Sequence, residues 1–268
     1  MTETATRFAG SVPEVYDRIL GPVLFEGFAR DLARRAGAHR SAHALELAAG
    51  TGILSRPLRD ALIPTASLVV TDLNLPMLEI ARHRFRPTEA VAFEVADMTA
   101  LPFPDGGFDL AACQFGLMFA PDPAVALREV RRVLAAGAPF LFSVWDGWER
   151  NRVGEVAHGV AAALVPDDPP GFYRVPFRLG DRDAVRRALA AAGIEEAEPE
   201  RLERRERIDP DVFGHGLVFG NPLADELRER GADPDAAAAA MADALRRAFG
   251  TPAALDLSVT LWRCRMPG

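Results

Sequence analysis

The 268-residue sequence contains no lysine, so all 31 of its strongly basic side chains are arginine. That absence removes the Walker phosphate loop, which needs a lysine, and the Tyr-x-x-x-Lys pair of many nicotinamide oxidoreductases. Together with the abundance of alanine, it reflects base composition rather than function. Only Cys113 and Cys264 are present, both inside apolar stretches. They exclude a disulfide framework and zinc-ligand spacing, and they fit a reduced, cytoplasmic compartment. No run of roughly eighteen apolar residues occurs, and Met1 to Ala9 lacks an apolar core, so neither a membrane span nor a signal peptide is expected. A net charge of −7 and a pI of 5.4 argue against nucleic acid or an acidic membrane surface as partner. Oligomeric state is not legible.

What is present is an ordinary globular composition, 49% hydrophobic and 26% charged, long enough for one large α/β domain with a small cap. The organising stretch is Leu45-Glu46-Leu47-Ala48-Ala49-Gly50-Thr51-Gly52, read as a buried strand that turns at glycines and enters a helix. Around it the chain alternates. Strands are expected over 42–48, 67–71, 91–95, 108–114 and 139–145, with helices over 53–62, 75–85 and 123–134. Near-continuous apolar strands separated by amphipathic helices predict a mostly parallel sheet covered on both faces. Ahead of it, Ser11-Val12-Pro13-Glu14 resembles a capped helix start, and Gly21-Pro22 should divide residues 11–36 into two short helices. These form a lid over residues 1–40 that carries Tyr16 towards the ligand.

The cofactor-binding core is expected over 41–146 and a substrate-side half over 147–268, all in a single domain. In that half the helices are expected at 153–164, 181–192, 209–219 and 233–249. An exposed strand at 194–208 and a final alternating strand at 255–264 complete it.

Four features carry chemistry. Gly50 and Gly52 allow a tight turn whose main chain a ligand can approach, with the free N–H groups of the next helix behind it. The position that would complete a dinucleotide fingerprint is Ser55, not glycine. Asp72 lies at the next strand's end, about twenty residues on, where a carboxylate accepts from both ribose hydroxyls; helix capping is its structural alternative. Ala96-Asp97-Met98 stands at the third strand's end, with a carboxylate for an exocyclic amine and a thioether for a ring face. Gln114 emerges from the fourth strand into the cleft, followed by Phe115, Met118 and Phe119, which with Trp145 would wall a substrate pocket. Absent phosphate-binding groups, the pocket suits a nucleoside with a short amino-acid tail.

These features resemble the class I S-adenosylmethionine-dependent methyltransferases, in particular the UbiE and menaquinone-biosynthesis group of small-molecule enzymes. The resemblance spans about residues 8–146, from Phe8-x-Gly10 through Glu46-to-Gly52, Thr71-Asp72-Leu73-Asn74, Ala96-Asp97-Met98 and Leu127-Arg128-Glu129-Val130. It implies a seven-stranded Rossmann-like sheet whose last strand is antiparallel and inserted beside 194–208. It further implies that Gly50, Thr51 and Gly52 hold the methionine end, with Glu46 and Ala48 of the same motif also binding the cofactor. Asp72 would hold the ribose, Leu73 and Met77 one adenine face, and Ala96, Asp97 and Met98 the edge and other face. Tyr16 and Gln114 would approach the methionine moiety. Ala48-Ala49 departs from the polar residues many members carry there.

The activity implied is methyl transfer from S-adenosylmethionine, with S-adenosylhomocysteine as product, to a small, partly hydrophobic metabolite; no metal is called for. A carbon or oxygen acceptor needs a base, for which His215 in Phe213-Gly214-His215-Gly216 is the candidate, ahead of His158. The same fold can also serve as a non-methylating cyclase or binding subunit, and an NAD-dependent oxidoreductase is the more distant alternative.

Overall fold

The computed structural model describes Phe8 and residues 10–268; the rest of the expected N-terminal lid, and the segment read as lacking a signal peptide, lie outside these residues. Seven strands form one sheet: β1 (His43–Leu47), β2 (Ser67–Asp72), β3 (Val91–Val95), β4 (Leu110–Gln114), β5 (Pro139–Trp145), β6 (Ala197–Ile208) and β7 (Ala253–Arg265). Their spatial order is β3-β2-β1-β4-β5-β7-β6. The first five run parallel, with Leu45 opposite both Val69 and Ala111 and Cys113 opposite Phe142. β7 is antiparallel and inserted between β5 and β6, as the resemblance implied. This is a Rossmann-like sheet, mostly parallel with one inserted antiparallel strand. The order reverses between β1 and β4, and at that switch point the carboxyl ends of parallel strands open a crevice.

Residues of the central strands are buried because helices cover them: β5 has six of its seven positions buried. β3 departs from the expected covering on both faces. It is the outer strand, and Val95 is 49% exposed. β6, at the opposite edge, alternates exposed and half-buried residues and is lined with charge, which discourages pairing with another chain.

The helices are α1 (Val12–Val15), α2 (Glu26–Gly37), α3 (Ser55–Ala61), α4 (Leu75–Arg82), α5 (Pro123–Val133), α6 (Arg152–Leu164), α7 (Arg182–Ala191), α8 (Pro210–Phe219), α9 (Leu223–Glu229) and α10 (Pro234–Phe249). Asp122, Asp181, Asp209 and Asp233 cap α5, α7, α8 and α10, each accepting from a main-chain N–H in the first turn. α9 has no counterpart in the sequence reading, since its seven residues are too few to show a period.

The lid differs from expectation. Gly21-Pro22 does not break it; Tyr16–Phe25 is a π-helical stretch continuous with α1 and α2. Proline has no N–H to donate and its ring displaces the preceding turn, and a widened turn absorbs both, with Glu26 N–H reaching Gly21 O. Ser11 makes no side-chain cap.

Candidate cofactor and substrate site

The loop after β1 carries three left-handed residues in five: Ala48 at φ +50°, Gly50 at +56° and Gly52 at +80°. They serve different ends. A Cβ on Gly50 would meet nothing within 4 Å, whereas one on Gly52 would stand 2.9 Å from Ala81 Cβ. Gly50 therefore opens main chain to the cavity, and Gly52 lets α4 pack closely. Ala48 keeps a strained conformation worth about 1–2 kcal/mol for a residue with a side chain, made possible by Gly116. A Cβ at Gly116 would stand 2.4 Å from Ala48 Cβ.

Thr51 also turns away from the cavity. Its hydroxyl donates to Asp17 Oδ1 at 2.6 Å, its carbonyl accepts from Arg84 Nε at 2.7 Å, and Arg84 Nη2 binds Asp17 at 2.5 Å. Of the expected glycine-loop contacts, Thr51 and Gly52 thus belong to the packing that ties lid, loop and α4 together. The helix expected from Ile53 begins only at Ser55, because an extra turn follows Gly52, and Ile53 and Leu54 face the cavity instead.

Three acidic side chains stand along successive strand tips. Glu46, on β1, is 1% exposed, and neither carboxyl oxygen has a hydrogen-bond partner among the described residues. Burial pushes its carboxyl up to about 8, against a small downward pull from Ser55, whose own hydroxyl is likewise unpaired. An unpaired buried carboxyl costs stability unless a donor arrives, so Glu46 is an open acceptor facing the cavity.

Asp72, at the end of β2, accepts from Gly50 N at 2.8 Å on one oxygen and from Asn74 N at 2.8 Å on the other. Burial raises its carboxyl and these N–H groups pull it back. Asp72 thus binds the glycine turn; Oδ1 also accepts from Asn74 Nδ2 at 3.4 Å, and Oδ2 retains an unused lone pair for a ligand hydroxyl. Asp97, past β3, accepts from Thr99 N and Oγ1 on Oδ1, leaving Oδ2 without a protein donor among the described residues.

A cavity of about 280 Å³ runs from these carboxyls to the tips of β4 and β5. Leu73, Met77, Ala96 and Met98 line its β2–β3 end. Tyr16 and Gln114 line the middle; Gln114 Nε2 donates to Phe25 O at 2.9 Å, fixing the lid to β4. Burial and the nearby Asp72 and Asp17 keep the Tyr16 phenol neutral. Phe115, at φ +54°, stacks on Trp145 at 4.4 Å between centroids, and both line the far end with Phe119.

Two expected residues are elsewhere. Met118 is fully buried in the short turn Leu117–Phe119, directed into the core rather than the cavity. His215 is exposed on α8, its ring against Phe219 at 4.5 Å. The neighbouring glycines are not a flexible rim. They are close-packing points of a helix, Gly214 against α10 and Gly216 against Ile19, so His215 points out between them. His158 does not line the cavity either; it accepts from Arg174 Nε at 3.4 Å and lies beside Trp148.

Conversely, Leu20 and Phe25 of the lid and Phe172, Tyr173, Phe177 and Asn221 of the cap line the cavity without having been singled out. Phe172 and Tyr173 follow a proline-glycine break that sequence pattern reads only as loop. Among the described residues no cluster of three or more His, Cys, Asp or Glu could hold a metal ion, and no helix is long and apolar enough to cross a membrane.

The donor and acceptor set fits S-adenosylmethionine. An orphaned buried carboxyl awaits an ammonium, a carboxylate at the next strand tip keeps acceptor capacity for ribose hydroxyls, and a third stands beside Met98 for an amino-substituted ring. The open Gly50 main chain lies between them. Residues 45–142 match the family described as "Methyltransferase domain". Over those residues the chain carries a methyltransferase domain.

The methyltransferase core has curated relatives of the UbiE group. One is the ubiquinone/menaquinone biosynthesis C-methyltransferase of Hahella chejuensis, 34% identical over 40% of this chain and 44% of that protein. Another is the demethylmenaquinone methyltransferase of Staphylococcus aureus, 31% identical over 50% of this chain and 57% of its own. The chain thus spans about half the length of the relatives it matches. Among solved structures, the YcgJ protein from Bacillus subtilis superimposes with a TM-score of 0.61 at 19% identity, over 90% of this chain and 99% of that one. That likeness establishes the fold of the methyltransferase core together with much of the cap.

Proposed function

We propose that this protein transfers a methyl group from S-adenosylmethionine to a small, partly hydrophobic metabolite. The observation that carries the reading is Glu46, an unpaired buried carboxyl facing a cavity beside the open Gly50 turn. When bound, the cofactor supplies an electrophilic methyl on a sulfonium. The residues of this chain hold and orient it. Glu46 accepts from the ammonium, Asp72 from the ribose hydroxyls and Asp97 from the adenine amine, with Leu73, Met77 and Met98 against the ring. Tyr16 and Gln114 close over the methionine end, and the lid excludes water. Orientation alone can supply effective molarities of about 10⁵ M or more.

The aromatic far wall suits a flat acceptor, in keeping with the quinone names of the relatives. The acidic net charge and two buried thiols favour a small molecule over nucleic acid and a reduced compartment. The lid, core and cap form one functional domain in this reading, since all three contribute to one cavity.

Calorimetry of the purified chain with S-adenosylhomocysteine and with NAD(H) tests the cofactor. Binding of NAD(H) alone would overturn the reading. Incubation with methyl-labelled S-adenosylmethionine and a metabolite extract should transfer label. A converted metabolite beside intact cofactor would instead assign a cyclase.

A further inference from the structure

Glu46 stands apart from the other acidic groups of the cavity. Asp72 receives two main-chain N–H groups and the Asn74 amide, and Asp97 receives the Thr99 N–H and hydroxyl. Glu46 receives no donor among the described residues, and both of its oxygens are buried. No cation stands against it either, because no arginine or histidine among the described residues lines the cavity. The groups around it are Ser55 from α3, Asp72 from β2, Cys113 from β4 and, across the cavity, Tyr16 from the lid.

A buried carboxylate with neither donor nor cation is costly enough that the group keeps its proton instead. Burial pushes the Glu46 carboxyl up to about 8 against the pull of Ser55, with a smaller push from Asp72. Burial pushes the Cys113 thiol up to about 12 and raises the Tyr16 phenol as well, so neither exchanges a proton near neutrality. Asp72 has its donors already and does not depend on a ligand to ionise.

We infer that Glu46 is a neutral acid until the cofactor binds, and that the arriving ammonium takes the place of its proton, so that binding releases one proton to solvent. This exchange rests on the proposed cofactor. The O–H bond of the Glu46 carboxyl breaks, the proton passes to water or buffer, and the carboxylate left behind pairs with the ammonium. Each charge then answers the other where neither would be stable alone. Ser55, buried and without a partner, is a positioning residue: its hydroxyl donates to the carboxylate after the proton has left. Cofactor affinity therefore rises with pH while the free protein still holds the proton, and it levels off above about pH 8.

Calorimetry of the full chain with two ligands tests the exchange. S-adenosylhomocysteine carries the amino-acid tail; methylthioadenosine keeps the nucleoside and the sulfur and lacks the tail. Binding heats at pH 7 in PIPES and in imidazole, whose ionisation enthalpies differ, give the number of protons released. S-adenosylhomocysteine should release about 0.9 proton, the protonated share at pH 7 of a group titrating near 8, and methylthioadenosine about none. From pH 6 to pH 7 the first should bind about ninefold more tightly and the second should change less than about twofold. Glu46→Gln, which keeps the shape and carries no exchangeable charge, should abolish both the release and the slope. Ser55→Ala should move the levelling-off to higher pH, which a purely structural loss would not do.

Release of less than about 0.3 proton, equal release with both ligands, or a slope that survives Glu46→Gln overturns the inference. Failure of S-adenosylhomocysteine to bind at all would instead overturn the methyltransferase reading beneath it.

Discussion

Two carboxyls of one cavity have opposite relations to the chain. Asp72 is held by Gly50 and Asn74 N–H groups, whereas Glu46 has no donor among the described residues. Because Glu46 is raised from 4.5 to about 8 by burial, the folded state holds its proton where the unfolded chain has released it. Its contribution to stability is fully present below about pH 4.5 and is lost as pH rises to about 8. Glu46→Gln should remove that slope. Urea unfolding of the two proteins between pH 5 and 9 should show the variant gaining on the order of 3 kcal/mol relative to wild type; parallel curves would contradict the burial argument. Asp72→Ala loses the loop's acceptor and the ribose ligand together. Calorimetry should show S-adenosylhomocysteine binding weakened about 10- to 100-fold, the range of one or two charge-assisted hydrogen bonds.

At the scale of elements, the lid is held by a glycine face. A Cβ at Gly216 would stand 2.5 Å from Ile19 Cγ2, and one at Gly220 would stand 3.1 Å from Leu20 Cδ1. These two glycines, one turn apart near the end of α8, seat the π-helical stretch that carries Tyr16 and Leu20 to the cavity. Gly216→Ala should therefore lower stability by about 1–3 kcal/mol through overpacking and raise hydrogen exchange across residues 16–25. His215→Ala, on the same helix but facing water, should leave the methyl-transfer rate within about twofold of wild type. A rate loss of a hundredfold would restore His215 as the base.

Across the whole molecule, a buried charge ties the parallel strands to the antiparallel pair β6 and β7. Asp146, just past β5, accepts from Ser258 and Thr260 hydroxyls at 2.6 Å and from Arg201 Nε at 2.9 Å. Burial opposes its ionisation, yet these three donors hold its carboxyl below the usual range. This contribution is present above the ordinary carboxylate pKa and is lost as pH falls through the lowered value, the reverse of Glu46. Asp146→Asn should thus lower the melting temperature at pH 7 and flatten its fall below pH 4 in a calorimetric series. The glycine loop, Asp72 and Asp97 were legible because each lies within a few residues of a strand end that hydrophobic pattern marks. The cap residues Phe172, Tyr173, Phe177 and Asn221 were not, because they sit in loops and short helices without period. They reach the cavity through contacts with α6, α8 and α9.

The sequence by itself determined the parallel sheet, the existence of a final strand and the three acidic strand tips, since alternation of apolar segments and local turn chemistry are properties of neighbours in the chain; the insertion of that last strand followed only from the family resemblance. Tertiary structure decided which side chains of those motifs face the ligand. Thr51 and Gly52 lie in the same motif as Glu46 and Gly50, yet Asp17, Arg84 and Ala81 draw them into packing. Met118 turns inward three residues from Phe115, and His215 outward between two close-packed glycines. Direction of a side chain is set by what the rest of the fold brings against it, and spacing along the chain does not contain that information.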